Sequence, residues 1–112
     1  MQVALTVWED RISPLYDATR TLLITKVKGR RIVAKHMEPF ECQSALTRAA
    51  RLDELGINVL ICGGISDFSE NLIEGRGIQV IAFVSGTVDA VLAAYQTGRL
   101  NKKKRQRPIY ET

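Results

Sequence analysis

Residues 62–66 read Cys-Gly-Gly-Ile-Ser. A thiol, two residues without side chains and a helix-capping hydroxyl follow one another closely. At Gly63 and Gly64 a bulky anion can approach backbone N–H groups without meeting a side chain. A helix opened by Ser66 would favour negative charge at its start. Cys62 could add a thiolate, a soft ligand for a soft metal. A structural alternative stands beside this reading: the glycines make a tight strand-to-helix turn and Cys62 is a core residue. A second group lies at residues 11–17. Arg11 offers a guanidinium to an anionic guest, and Ser13 and Tyr16 offer hydroxyls, while Pro14 and Asp17 shape the loop. His36 is the only histidine. It joins Cys62 as a candidate metal ligand, and Cys42 is its nearest soft neighbour in sequence. A pair of ligands alone would be incomplete for zinc.

These residues need a scaffold to position them. Gln2 to Trp8 is β-branched and apolar over one strand length. Asp10 to Asp17 reads as a loop punctuated by Ser13-Pro14. Thr21–Val27 and Arg31–Met37 read as strands joined by Lys28-Gly29-Arg30, an antiparallel hairpin. The period then changes. From Gln43 to Leu55, the apolar residues Ala45, Leu46, Ala49 and Leu52 share a helical face, with Arg48, Arg51 and Glu54 pointing elsewhere. Ile57–Cys62 is an apolar run suited to a buried parallel strand. Ser66 caps a short helix containing Leu72 and Ile73. Ile78–Val84 is the next strand. Thr87 caps a last helix lined by Val88, Val91, Leu92 and Tyr95. The order is β-β-β-α-β-α-β-α, which predicts an α/β fold with a five-stranded mixed sheet and flanking helices.

Composition narrows the class. A chain of 112 residues, 46% hydrophobic and 25% charged, fits one globular domain. No run approaches the roughly 20 apolar residues of a membrane span. The start of the chain does not read as a signal peptide, so a cytoplasmic location is expected. Two cysteines outside any CxxC pair exclude a zinc ribbon and a thioredoxin-type motif. The charge is uneven. Lys102, Lys103, Lys104, Arg105 and Arg107 lie in a basic tail, residues 101–112, that reads as disordered; residues 1–101 hold 11 charges of each sign.

Three stretches resemble a known family. Arg11-Ile12-Ser13-Pro14-Leu15-Tyr16-Asp17 is similar to its signature after the first strand. Val59-Leu60-Ile61-Cys62-Gly63-Gly64-Ile65-Ser66 resembles its strand-to-turn. Gly77-Ile78-Gln79-Val80-Ile81, then Gly86-Thr87-Val88-Asp89, Tyr95 and Gly98-Arg99-Leu100, resemble its ending. The family is that of dinitrogenase iron–molybdenum cofactor biosynthesis and binding. It includes small single-domain proteins and the C-terminal domain of the radical enzyme of cofactor synthesis. The resemblance spans about residues 2–100 and implies a ribonuclease H-like motif, with the domain at residues 1–100. It implies a non-enzymatic carrier that takes an iron–sulfur or molybdenum–iron–sulfur cluster from a donor protein and passes it to a recipient. Nitrogenase-linked members often carry a histidine beside an aromatic where Leu15-Tyr16-Asp17 stands here, which argues against direct ligation from this loop.

Two other readings are weaker. A nuclease would need converging carboxylates on two metal ions, and Asp10, Asp17, Asp67 and Asp89 are not placed at the core of the first strand. An interaction module could use the basic tail on nucleic acid or an acidic partner. No aromatic interleaves the charge run before Tyr110, so base stacking has little support. The sequence permits a monomer or a homodimer.

Overall fold

A computed structural model describes residues 1–41 and 44–100. Cys42 and the basic tail lie outside them. One mixed sheet forms the centre. Its strands are β1 (Gln2–Trp8), β2 (Arg11–Ile12), β3 (Thr21–Lys28), β4 (Arg31–Pro39), β5 (Val59–Ile61) and β6 (Gln79–Ile81), in the order β4-β3-β1-β5-β6 with β2 paired to β1. β1 is central and is buried from Val3 to Val7, which explains its unbroken apolar run. It pairs antiparallel with β3 and parallel with β5, and β5 pairs parallel with β6. β3 and β4 form the expected hairpin, with a register shift at Lys26/Val27. The mixed α/β architecture is therefore the expected one. The loop at residues 10–17 is more ordered than its composition indicated: it holds β2 and a 3₁₀ turn, Tyr16–Ala18.

Three helices cover the sheet: α1 (Ala45–Glu54), α2 (Asp67–Glu74) and α3 (Val88–Gln96). Ser44, Ser66 and Thr87 cap their N-termini through side-chain oxygens. α1 and α2 pack on one face, where Ala4, Leu22, Ile24, Leu60 and Val80 meet Leu52 and Ile73. α3 packs on the other, where Val3, Leu5, Ile61 and Ile81 meet Val91 and Leu92. All three helices begin at the end of the sheet where β1 and β5 finish. The β3–β4 hairpin turn lies at the opposite end, because Gln2 faces Lys26 and Val7 faces Thr21.

One helix is rotated from its expected setting. Leu46 is 62% exposed, whereas Arg48 is buried. The inward face is Ala45, Arg48, Ala49 and Leu52, still at helical spacing. Arg48 is held there by partners distant in sequence. Nη1 donates to the Tyr16 carbonyl at 3.2 Å and Nη2 to the Thr19 carbonyl at 2.9 Å. The guanidinium also lies 4.7 Å from the centroid of the Phe40 ring and 5.5 Å from that of Tyr16. Charge-assisted hydrogen bonds and the ring faces offset the cost of burying the cation.

This setting makes a prediction for urea denaturation. Arg48→Ala should lower stability by about 3 kcal/mol, because two buried carbonyls and two ring faces lose their partner. Leu46→Ser should stay within about 0.5 kcal/mol, as an exposed substitution does.

Candidate functional site

The backbone of residues 10–16 is clasped on both sides. On one side, Ile12 N–H donates to the Gly86 carbonyl at 3.0 Å and Val88 N–H to the Asp10 carbonyl at 2.8 Å. On the other, Gly64 N–H donates to the Pro14 carbonyl at 2.7 Å and Tyr16 N–H to the Gly64 carbonyl at 2.8 Å. Gly63 makes this approach possible. A Cβ placed there would lie 2.4 Å from the Ser13 carbonyl oxygen and 2.6 Å from that of Pro14. Gly63 thus leaves room for the chain's own loop, and the Gly64 N–H is committed to that loop as well.

A cleft of about 320 Å³ remains beside this clasp. It lies where β1, β5 and β6 end, between the turns that follow them, as ligand crevices do in open parallel sheets. Arg11, Pro14, Gly63, Gly64, Phe83 and Gly86 line it. Arg11 is the cation of the lining, with its side chain half exposed and 3.9 Å from Asp10. Phe83 was not anticipated from sequence. Its φ is +62° and it is 45% exposed. An aromatic residue in the left-handed region is strained. Hydrogen bonds from Phe83 N–H to the Gly63 carbonyl (2.9 Å) and from Val84 N–H to the Cys62 carbonyl (3.0 Å) hold the turn. The sequence signal was faint: an aromatic just past an apolar strand, before Ser85-Gly86.

The other candidate residues divide. Ser13 is buried, and its hydroxyl donates to the Leu15 carbonyl at 3.3 Å. Tyr16 is fully buried, with its ring 6.0 Å from that of Phe40, so it serves the core rather than the cleft wall. Ser66 accepts from Ser69 N–H at 3.1 Å as the cap of α2. Asp17 ties the loop to that helix by accepting from the Ser69 hydroxyl at 3.3 Å.

The structure does not bring Cys62 and His36 together. Cys62 is fully buried next to β5, and its thiol is pushed up to about 12 by burial first, then by the charges of Glu70 and Asp17. A protonated, enclosed thiol is a poor ligand. His36 lies on β4, three strand spacings away, or about 14 Å. It is exposed, and its Nε2 is 3.4 Å from Glu38. Among the described residues, no group of three or more His, Cys, Asp or Glu side chains could hold a metal ion. Asp10, Asp17, Asp67 and Asp89 therefore do not converge as two-metal chemistry would require.

The family model for dinitrogenase iron–molybdenum cofactor proteins matches residues 1–98. The chain belongs to this family. Solved structures similar to this family member share its fold at low sequence identity. PH0822 has a TM-score of 0.83 at 18% identity, covering 90% of this chain and 95% of that one. A protein described as a candidate dinitrogenase from Methanocaldococcus jannaschii has a TM-score of 0.72 at 19% identity, covering 90% and 92%. The apo form of the orange protein from Desulfovibrio gigas has a TM-score of 0.75 at 16% identity, covering 89% and 90%. No curated protein matches the chain. No helix among the described residues is long and apolar enough to cross a membrane.

Two measurements check the clasp and the thiol. Gly63→Ala should lower stability by at least about 2 kcal/mol in urea, because the new methyl group meets backbone that cannot swing aside. The thiol is raised in the folded state, so the unfolded chain loses its proton first, at its ordinary value of 9.0. The stabilisation is complete below that pH and is lost between about 9 and about 12. Urea midpoints measured across this window should fall more steeply for the wild type than for Cys62→Ala.

Proposed function

We propose that the protein is a non-enzymatic carrier which holds a preassembled, anionic metal–sulfur cluster in the cleft at the ends of β1, β5 and β6. The observation that carries this reading is the lining of that cleft. Arg11 supplies a cation, and Pro14, Phe83 and the glycine turns supply an apolar, sterically open wall. Family membership points to the same class of cargo. The cargo is held as a whole rather than through metal–protein bonds, since Cys62 is enclosed and protonated and His36 stands on a distant strand. Weak, non-covalent holding suits a carrier, which has to release what it binds. The N-termini of α2 and α3 open at this end and favour negative charge. Asp10, Asp67 and Asp89 on the surrounding turns oppose it, so Arg11 has a large share of the work. The protein acts between a cluster donor and a recipient.

Titration with tetrathiomolybdate without oxygen, followed by visible absorption, tests this reading. Uptake of one equivalent per chain is expected. Arg11→Glu should weaken it about tenfold or more, the effect of turning a charge-assisted contact into a repulsion. Phe83→Gly should weaken it too, while leaving stability within about 1 kcal/mol because the strain at φ is relieved as the ring is lost. A wild-type protein that takes up no thiomolybdate, or any of several iron–sulfur species, removes the carrier reading and leaves the fold.

A further inference from the structure

The cleft end of the sheet exposes more apolar surface than the cleft itself uses. Leu15 is 59% exposed, Phe68 63% and Phe83 45%. Leu15 bridges to Gly64, Phe68 lies in the first turn of α2, and Phe83 follows β6. Exposed carboxylates stand on the same turns, Glu9, Asp10, Asp67 and Asp89, and outnumber Arg11, which lies 3.9 Å from Asp10. Exposed aromatics among acidic groups fit a partner that carries cations followed by an apolar anchor.

The chain contains such a segment. Lys102, Lys103, Lys104, Arg105 and Arg107 are followed by Pro108-Ile109-Tyr110. Since residues 1–101 hold 11 charges of each sign, the excess positive charge of the chain is concentrated in this run. We propose that residues 102–110 of a second copy dock on the cleft end, with the cations against Asp10, Asp67 and Asp89 and with Ile109 and Tyr110 against Phe68 and Phe83.

Reach favours a second copy over the chain's own tail. Leu100 lines a cavity with Val27, Gly29 and Arg30, at the hairpin end of the sheet. Gln96 anchors the end of α3 there by donating to the Arg30 carbonyl at 3.1 Å. The cleft lies at the other end, a full length of β1 away, or about 23 Å. Fully extended, Lys102 to Lys104 reach only about 7 to 14 Å beyond Leu100. Only the part of the chain's own tail from Arg105 onward could reach its rim, whereas the tail of a second copy can bring the whole run, cations and anchor together, to one rim. Two copies that exchange tails close a symmetric pair, in which each rim is filled.

The test uses the protein without cargo, so it stands apart from the carrier reading. Sedimentation of the full chain should show a dimer at about 0.05 M salt, with its dissociation constant at least about tenfold higher at 0.5 M. Deleting residues 101–112 should leave a monomer, and so should Phe68→Ser. The triple variant Asp10→Asn, Asp67→Asn, Asp89→Asn should also be monomeric. Mixing the tail-deleted protein with this triple variant should restore a one-to-one pair, because one supplies the rim and the other the tail. If the triple variant does not fold, Phe68→Ser takes its place in the mixture and should likewise restore a one-to-one pair, because it keeps the tail while the tail-deleted protein keeps Phe68. A monomer at both salt concentrations overturns the proposal. So does a dimer that survives tail deletion, or a tail that captures single-stranded nucleic acid without any self-association.

Discussion

The contact between the Ser13-Pro14 backbone and Gly63 governs the cleft end of this protein. Two segments of main chain lie closer there than any side chain would permit. The turn after β1 is thereby fixed against the turn after β5, and through Ile12 and Val88 against the turn after β6. Main-chain hydrogen bonds join the three turns into one rim. The glycines first read as a cradle for a guest are filled by the chain itself, and the cleft is displaced beside them.

This arrangement also fixes the chemistry. Cys62 precedes the close contact, so it is drawn under the loop and kept as a thiol. Tyr16 follows it, so its ring turns into the core over Arg48 and Phe40. What remains at the surface is Arg11, a proline and the strained Phe83. A site with one cation and apolar walls has little means of forming strong bonds to a metal. Its open walls leave room for a bulky group beside Arg11.

Much of the fold was legible in the sequence. The run from Gln2 to Trp8, the hairpin at Gly29 and the caps at Ser66 and Thr87 all announce local geometry through residue type. The rotation of α1 was not legible, since Leu46 is apolar and Arg48 charged. The partners that bury Arg48 are carbonyls of a loop far along the chain and two aromatic faces. Periodicity weighs side chains one at a time and does not see such partners. The same limit applies to the site. Arg11, Gly63 and Gly64, which line the cleft, stand out in the sequence because they belong to recognisable runs. Phe83 was missed because its significance rests on a backbone angle. His36 and Cys62 were each candidate metal ligands by residue type, and the strand order separates them; the pairing of His36 with Cys42 lies outside the described residues.

The pairing of β1 with β5 bears on how the chain reaches its native state. β1 to β4 follow one another along the chain and pair antiparallel, so they can zip together while the rest is still being made. β5 must find β1 across a long stretch of chain, as the hydrogen bond from Gln2 N–H to the Asn58 side chain, 56 positions on, illustrates. Such distant pairings form late because the entropy of closing the loop comes before any contact repays it. The rim of the cleft is built from turns on both sides of that closure. A molecule stalled with only its first half assembled therefore has half a rim and no enclosed cleft between its turns.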